Sequence, residues 1–169
     1  MLPHLDAAYR FARWLSRSSV DADDLVQDAV LRAFRGFDGL RGTDAKAWLL
    51  TIVRNCYSTS FKQQRRGDMV PLPPGDDPDS ATLLVEEAAG PEAEAILADD
   101  RRSLDAIMQT LPQEYREILI LREIEDLDYR EIAQVISTPI GTVMSRLARA
   151  RAALKKQWHT HMDAAHAAS

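Results

Sequence analysis

Residues 128–156, DYREIAQVISTPIGTVMSRLARARAALKK, constrain what this chain can fold into more than any other stretch. Two helical patterns are separated here by a short break. Asp128 and Glu131, three residues apart, form a capping box: the Asp side chain accepts from the backbone and the Glu reaches back. Ile132, Val135 and Ile136 then make an apolar stripe at helical spacing. Ser137-Thr138-Pro139 ends this helix and opens the next. Thr138 is the expected N-cap, with Pro139 at the first helical position, where a missing N–H costs nothing. In the second helix Val143, Leu147, Ala150 and Leu154 fall at i, i+4, i+7 and i+11, a single buried stripe. Thr142, Ser145, Arg146 and Arg149 lie on the opposite face. Residues 141–156 carry five basic side chains and no acidic one.

Two short helices with a tight turn, the second one basic, read as a helix-turn-helix. The small Ala133 fits a steep helix crossing. Spacing alone leaves open a plain helical hairpin with a solvated basic face. The string STPIGTVMSRLARARAAL resembles the recognition segment of bacterial extracytoplasmic-function sigma factors, a small-residue turn followed by G-T-V-x-S-R-L-x-R-A-R. One departure is the turn itself, Ser137-Thr138-Pro139, where many members carry a glycine-containing loop.

Overall charge argues the other way at first sight. The 169 residues have a net charge of −5, which is unfavourable for nucleic acid. Its distribution reverses that reading. Residues 67–100 hold ten Asp or Glu and no Lys or Arg, so the remainder has 16 acidic against 21 basic residues. Residues 45–67 add a second run, with five basic residues and no acidic one. The single cysteine, Cys56, excludes an internal disulfide and reads as a small core residue. It offers no metal-ligand spacing, so no cofactor is expected. No apolar run approaches the ~20 residues a bilayer span needs, and the N-terminus has no secretory signal pattern. A cytoplasmic protein is expected.

Taken in order, residues 5–18 place Leu5, Ala8, Phe11, Ala12 and Leu15 at helical spacing. Asp21 is the expected cap of a helix over residues 22–37 that buries Leu25, Val26, Ala29, Val30, Ala33, Phe34 and Phe37. Asp24, Gln27, Asp28, Leu31 and Arg35 face elsewhere. A glycine-punctuated loop comes next, with Thr43 as candidate cap of a helix over residues 44–66. Trp48, Leu49, Ile52, Val53, Cys56 and Phe61 form its apolar side, and Thr51, Arg54, Asn55, Ser58, Lys62 and Arg65 its polar side. Ordinary solvated faces mix charge signs to gain i,i+4 pairs, whereas this one is wholly positive, so phosphate is the expected counter-charge. Trp48 is more readily core than a base-stacking platform; Tyr57 is evenly balanced. Residues 69–80, MVPLPPGDDPDS, contain four prolines and read as a linker. Helices resume from Pro91 to about Met108 and from Gln113 to Arg122. No alternating strand pattern occurs. The expected fold is all-α: two small helical domains joined by a flexible acidic linker, with the helix-turn-helix in the C-terminal one.

The N-terminal half carries the same resemblance independently. DADDLVQDAVLRAFRGFDGL, AWLLTIVRNCYSTSFKQQRR and LPQEYREILILREIEDLDYREIA each look like a sigma-factor segment, in the family's order. The resemblance covers most of residues 5–156. It implies a region-two domain over 1–66, a linker over 67–90 and a region-four domain over 91–169 with a frayed C-terminal tail. It also implies that Asp24, Gln27, Asp28 and Leu31 dock on the clamp helices of the largest subunit of core RNA polymerase. Arg54, Asn55, Ser58, Lys62, Arg65 and Arg66, with the loop 41–44, would recognise and open the minus-ten element of promoter DNA. Thr142, Ser145, Arg146 and Arg149 would read the minus-thirty-five element. The acidic linker would thread toward the polymerase cleft. A monomer when free, without membrane insertion and controlled by an anti-sigma factor, completes the expectation. A conventional repressor would need a ligand or dimer domain in place of the second basic helix. A sigma-mimic that only titrates an inhibitor would need no basic faces. No nucleophile–base pair or phosphate-cradling loop points to an enzyme.

Overall fold

A computed structural model describes residues 2–16, 18–40, 44–66 and 91–168. All its elements are helical: after a short turn at Leu2–His4 come α1 (Leu5–Ser16), α2 (Ser19–Arg35) and α3 (Ala45–Arg66). Beyond them lie α4 (Pro91–Thr110), α5 (Gln113–Leu119), α6 (Tyr129–Val135) and α7 (Ile140–Ala167). No strand occurs among the described residues. The linker 67–90, the loop residues 41–43 with the candidate cap Thr43, and the side chains of Phe61, Lys62, Arg65 and Arg66 lie outside the described ones.

Helix starts obey local chemistry, in places displaced from where the sequence puts them. Ser18, with extended backbone, caps α2 by accepting from Asp21 N at 3.4 Å. Asp21 instead sits in the first turn, where its charge complements the helix dipole. Asp44 caps α3, its Oδ1 accepting from Lys46 N at 2.8 Å and Ala47 N at 3.3 Å. The capping box of α6 forms as expected: Glu131 N donates to Asp128 Oδ1 and Asp128 N to Glu131 Oε2, both at 2.8 Å. Between α6 and α7, Ser137 adopts φ 51°, supplying the left-handed residue that a glycine would otherwise provide. Thr138 does not cap; its hydroxyl donates back to Ile136 O at 3.0 Å, and Pro139 precedes the first residue of α7.

The C-terminal tail continues α7 as helix to Ala167. Trp158 is half-buried, and His161 Nε2 lies 3.0 Å from Ser103 Oγ on α4. The alanines beyond continue a helix already nucleated and held by these contacts.

Packing obeys the apolar stripes. Phe11, Leu49 and Leu50 are fully buried where α1, α2 and α3 meet; each contributes about 1.5–3 kcal/mol. Ala22, Ala29 and Ala33 on α2 keep that helix close to its neighbours. Ile118, Leu121, Ile132, Val135, Val143, Leu147 and Ala150 close the core of the C-terminal helices. The two sets are docked, with α3 against α6 and α1 against α5, so a single apolar cluster runs through both.

After α5 the chain makes one widened turn over Ile120–Ile124, with Glu125 N donating to Ile120 O at 3.0 Å. The extra residue in that turn re-aims the chain beyond it. Glu125, only 2% exposed, receives Arg10 Nε and Nη2 at 2.8 and 3.1 Å. Lys46 Nζ lies 3.2 Å from its Oε2 and donates to its main-chain oxygen at 2.6 Å. One buried acid thus gathers cations from α1 and α3.

Candidate nucleic-acid and partner interfaces

On α7, Val143, Leu147 and Ala150 are buried, which turns Thr142, Ser145 and Arg149 outward to solvent. Ser145 Oγ donates to Thr142 O at 3.1 Å, fixing its rotamer along the helix. Arg146 behaves differently. Its side chain is 24% exposed and leans toward Glu114 on α5, with Nε 3.9 Å from Oε2. The four residues that spacing puts on one face therefore split into three outward ones and one on the flank.

On α3, Asn55 is exposed and Ser58 half-buried. Arg54 is not at the disposal of a phosphate in this arrangement: its Nε is ion-paired with Glu117 of α5. Burial pushes the Glu117 carboxyl above its ordinary range, and the Arg54 charge offsets part of that. Tyr57 Oη lies 3.5 Å from Gln113 Oε1, at the same seam between the two sets of helices. Trp48 packs against the core, as its spacing predicts.

On α2, Asp24, Gln27 and Leu31 are exposed and Asp28 is half-buried, paired with Arg32 at 3.2 Å. Phe34 and Phe37, expected in the core, are 67% and 52% exposed. The buried line of α2 runs through Ala22, Leu25, Ala29 and Ala33, which places Phe34 one residue off it. Phe37 falls in the short turn beyond the helix. Leu31, Phe34 and Phe37 thus extend the stripe of Asp24, Gln27 and Asp28 into an acidic and apolar face. The sequence does hold a signal for part of it: Leu31 and Phe34 each fall seven residues, two helical turns, after Asp24 and Gln27.

Among the described residues there is no cluster of metal-ligating side chains and no helix long and apolar enough to cross a membrane. Cys56 is buried, and desolvation pushes its thiol up to about 11.

Residues 2–67 match the family model described as Sigma-70 region 2, and residues 101–154 match Sigma-70, region 4. The ECF RNA polymerase sigma-E factor of Escherichia coli is 33% identical over 144 residues, covering 80% of this chain and 73% of that one. The chain belongs to the extracytoplasmic-function sigma factors. The family consists of transcription initiation factors rather than enzymes. The sigma factor SigE of Mycolicibacterium smegmatis is also 33% identical, over 94% of this chain, which spans 60% of that relative's length. Among solved structures, the sigma factor RpoE of Bartonella quintana, co-crystallised with the anti-sigma factor NepR, has a TM-score of 0.69. It is 32% identical, with 92% of both chains covered. Region 4 contains the helix-turn-helix α6–α7, and region 2 contains α1–α3.

Proposed function

We propose that this sigma factor binds core RNA polymerase and directs it to promoters through two separate DNA-reading faces. The observation that carries the reading is the pairing of two positive helices, α3 and α7, with an acidic and apolar face on α2 in a single chain. Residues 1–66 act as the region-two domain, 67–90 as the linker and 91–169 as the region-four domain. Thr142, Ser145 and Arg149 enter the major groove of the minus-thirty-five element, and Arg146 sits close enough to the helix flank to meet the sugar-phosphate backbone. Arg54, Asn55, Ser58, Lys62, Arg65 and Arg66 hold the minus-ten element, whose opened bases are captured by stacking and pocket contacts rather than by groove readout. Asp24, Gln27, Asp28 and Leu31 dock on the polymerase clamp helices, joined there by Phe34 and Phe37.

Docking of the two helix sets restrains Arg54. Glu117 holds it, so engaging the minus-ten element requires the C-terminal helices to release α3. Polymerase binding, by holding the two helix sets as far apart as the two promoter elements lie along DNA, supplies that release. An anti-sigma factor favours the closed form. The cleft of about 740 Å³ lined by Asp21, Asp24, Asp28 and Gln113 offers it an acidic seat.

The test is open-complex footprinting. Core polymerase with this protein should protect two promoter segments and make thymines near the start site reactive to permanganate. Asp28→Lys should abolish both signals while leaving the helical content unchanged. Protection of a single palindromic segment by the protein alone would point to a conventional regulator.

A further inference from the structure

We infer that Met144, with Ile140 one turn before it, reads thymine 5-methyl groups in the duplex that α7 enters; this rests on the recognition-helix assignment above. The observation is exposure of the wrong kind of side chain. Met144 is 53% exposed and Ile140 42% exposed, on a helix whose residues 141–156 are otherwise charged, small or turned into the core. Among the described residues, the other large exposed apolar side chains are Val20, Leu31, Phe34 and Phe37 around α2 and Met162 near the C-terminus. Met144 and Ile140 belong to neither group.

Their neighbours say what covers them. Met144, Ser145, Ala148 and Arg149 fall at i, i+1, i+4 and i+5 and are all exposed, so they form one outward strip. That strip lies on a stretch with five cations and no anion, which suits a polyanion and disfavours an apolar protein partner. A Cβ at Gly141 would meet nothing within 4 Å, and Ala148 is small, so the backbone can come close to base edges around Met144. In the major groove, the apolar group carried by a base edge is the thymine methyl. Ser145 and Arg149 can serve donors, acceptors or phosphates, whereas Met144 and Ile140 are the large apolar side chains exposed there and can cover a methyl more fully than the single methyls of Thr142 and Ala148. The unbranched thioether adapts to the exact position of that methyl better than a branched side chain would.

The test uses the full-length protein with core polymerase on a promoter whose minus-thirty-five thymines, on both strands, are replaced one at a time by deoxyuridine. Uridine keeps the base pair and removes only the methyl. For the native protein, one or two positions should lose roughly four-fold in promoter affinity, about 0.8 kcal/mol for one methyl group. Met144→Ala should bind the thymine promoter as the native protein binds the uridine one, and should be indifferent to uridine at those positions. Met144→Gln, which keeps the length and loses the apolar tip, should behave the same way. Native protein indifferent to uridine at every thymine, or Met144→Ala responding like the native protein, would overturn the inference. If base-pair changes throughout that segment also have no effect, the recognition-helix assignment falls with it; if they matter and uridine does not, only the role of Met144 falls.

Discussion

Arg54 of α3 and Glu117 of α5, 63 positions apart in sequence, form an ion pair in which the carboxylate side chain is only 3% exposed. A cation on the helix proposed to hold the minus-ten element is therefore neutralised by a buried anion from the region-four helices. Glu117→Ala should weaken docking by about 1–2 kcal/mol, less than the full cost of breaking a buried pair because Arg54 itself is a quarter exposed and can rehydrate. Small-angle scattering should show a larger radius for the free variant. Its affinity for single-stranded DNA should rise, since Arg54 is released.

The Arg10–Glu125–Lys46 cluster should be non-additive. Arg10→Ala and Lys46→Ala each leave Glu125 with one cation, and the double variant leaves it buried with neither. Each single change should cost roughly 1–2 kcal/mol. The double variant should exceed the sum by at least about 0.5 kcal/mol, as for residues in one network. Chemical denaturation of the four proteins measures this directly. Strict additivity would mean that the three side chains act separately.

Ser137 at φ 51° makes the turn between α6 and α7 sensitive to the type of residue there. Ser137→Gly should be neutral to within about 1 kcal/mol, because relief of the left-handed conformation is offset by the greater freedom of the unfolded chain. Ser137→Val should destabilise by roughly 1–2 kcal/mol, since a β-branched residue resists this conformation. Thermal unfolding of both variants tests the difference.

Asp105 on α4 gives a pH dependence. Burial raises its carboxyl from 3.8 to about 6, with the Arg13 charge opposing the rise. A carboxyl raised in the folded state favours its protonated form, so its stabilising contribution is complete below the ordinary value near 3.8 and is lost as pH rises through about 6. Asp105→Asn should therefore raise the unfolding temperature at pH 7 by roughly 2–4 °C, about 1 kcal/mol after allowing for solvent screening of a half-buried group. At pH 4 the gain should nearly vanish. An equal gain at both pH values would assign the effect to packing rather than to charge.

Arg146 and Arg149, three residues apart, should separate in their effects on DNA. Arg149 is outward, so Arg149→Ala should lose about 1–3 kcal/mol of discrimination between promoter and random sequence. Arg146 leans toward Glu114 with its side chain 24% exposed, so Arg146→Ala should weaken specific and random DNA alike. Competition binding with holoenzyme resolves the two.

The features legible in the sequence are local. The capping box of Asp128 and Glu131, the stripe of Val143, Leu147 and Ala150 and the inward side of α3 all come from spacings of three and four residues. Caps slide by one to three positions, from Asp21 to Ser18 and from Thr43 to Asp44, because neighbouring polar residues compete for the same free amides. Phe34 departs from the expected core because helical phase outweighs residue type: Ala22, Leu25, Ala29 and Ala33, not Phe34, define the packed side of α2, and Phe37 departs because the helix ends at Arg35, before it. The ion pairs of Glu117 and Glu125 have no local signal. Their partners lie between 63 and 115 positions away, and no periodicity encodes a pairing of that range. The α3 face looks uniformly available in the sequence for that reason, and the docked arrangement shows one of its cations already engaged.

The most direct measurement of promoter-directing activity is run-off transcription with purified bacterial core RNA polymerase on genomic promoter fragments, with and without this protein. Promoter-specific transcripts should appear only when the protein is added and should disappear with Asp28→Lys. Tight duplex binding by the protein alone, with no core-dependent initiation on any fragment, would contradict a role as a sigma factor that works through polymerase.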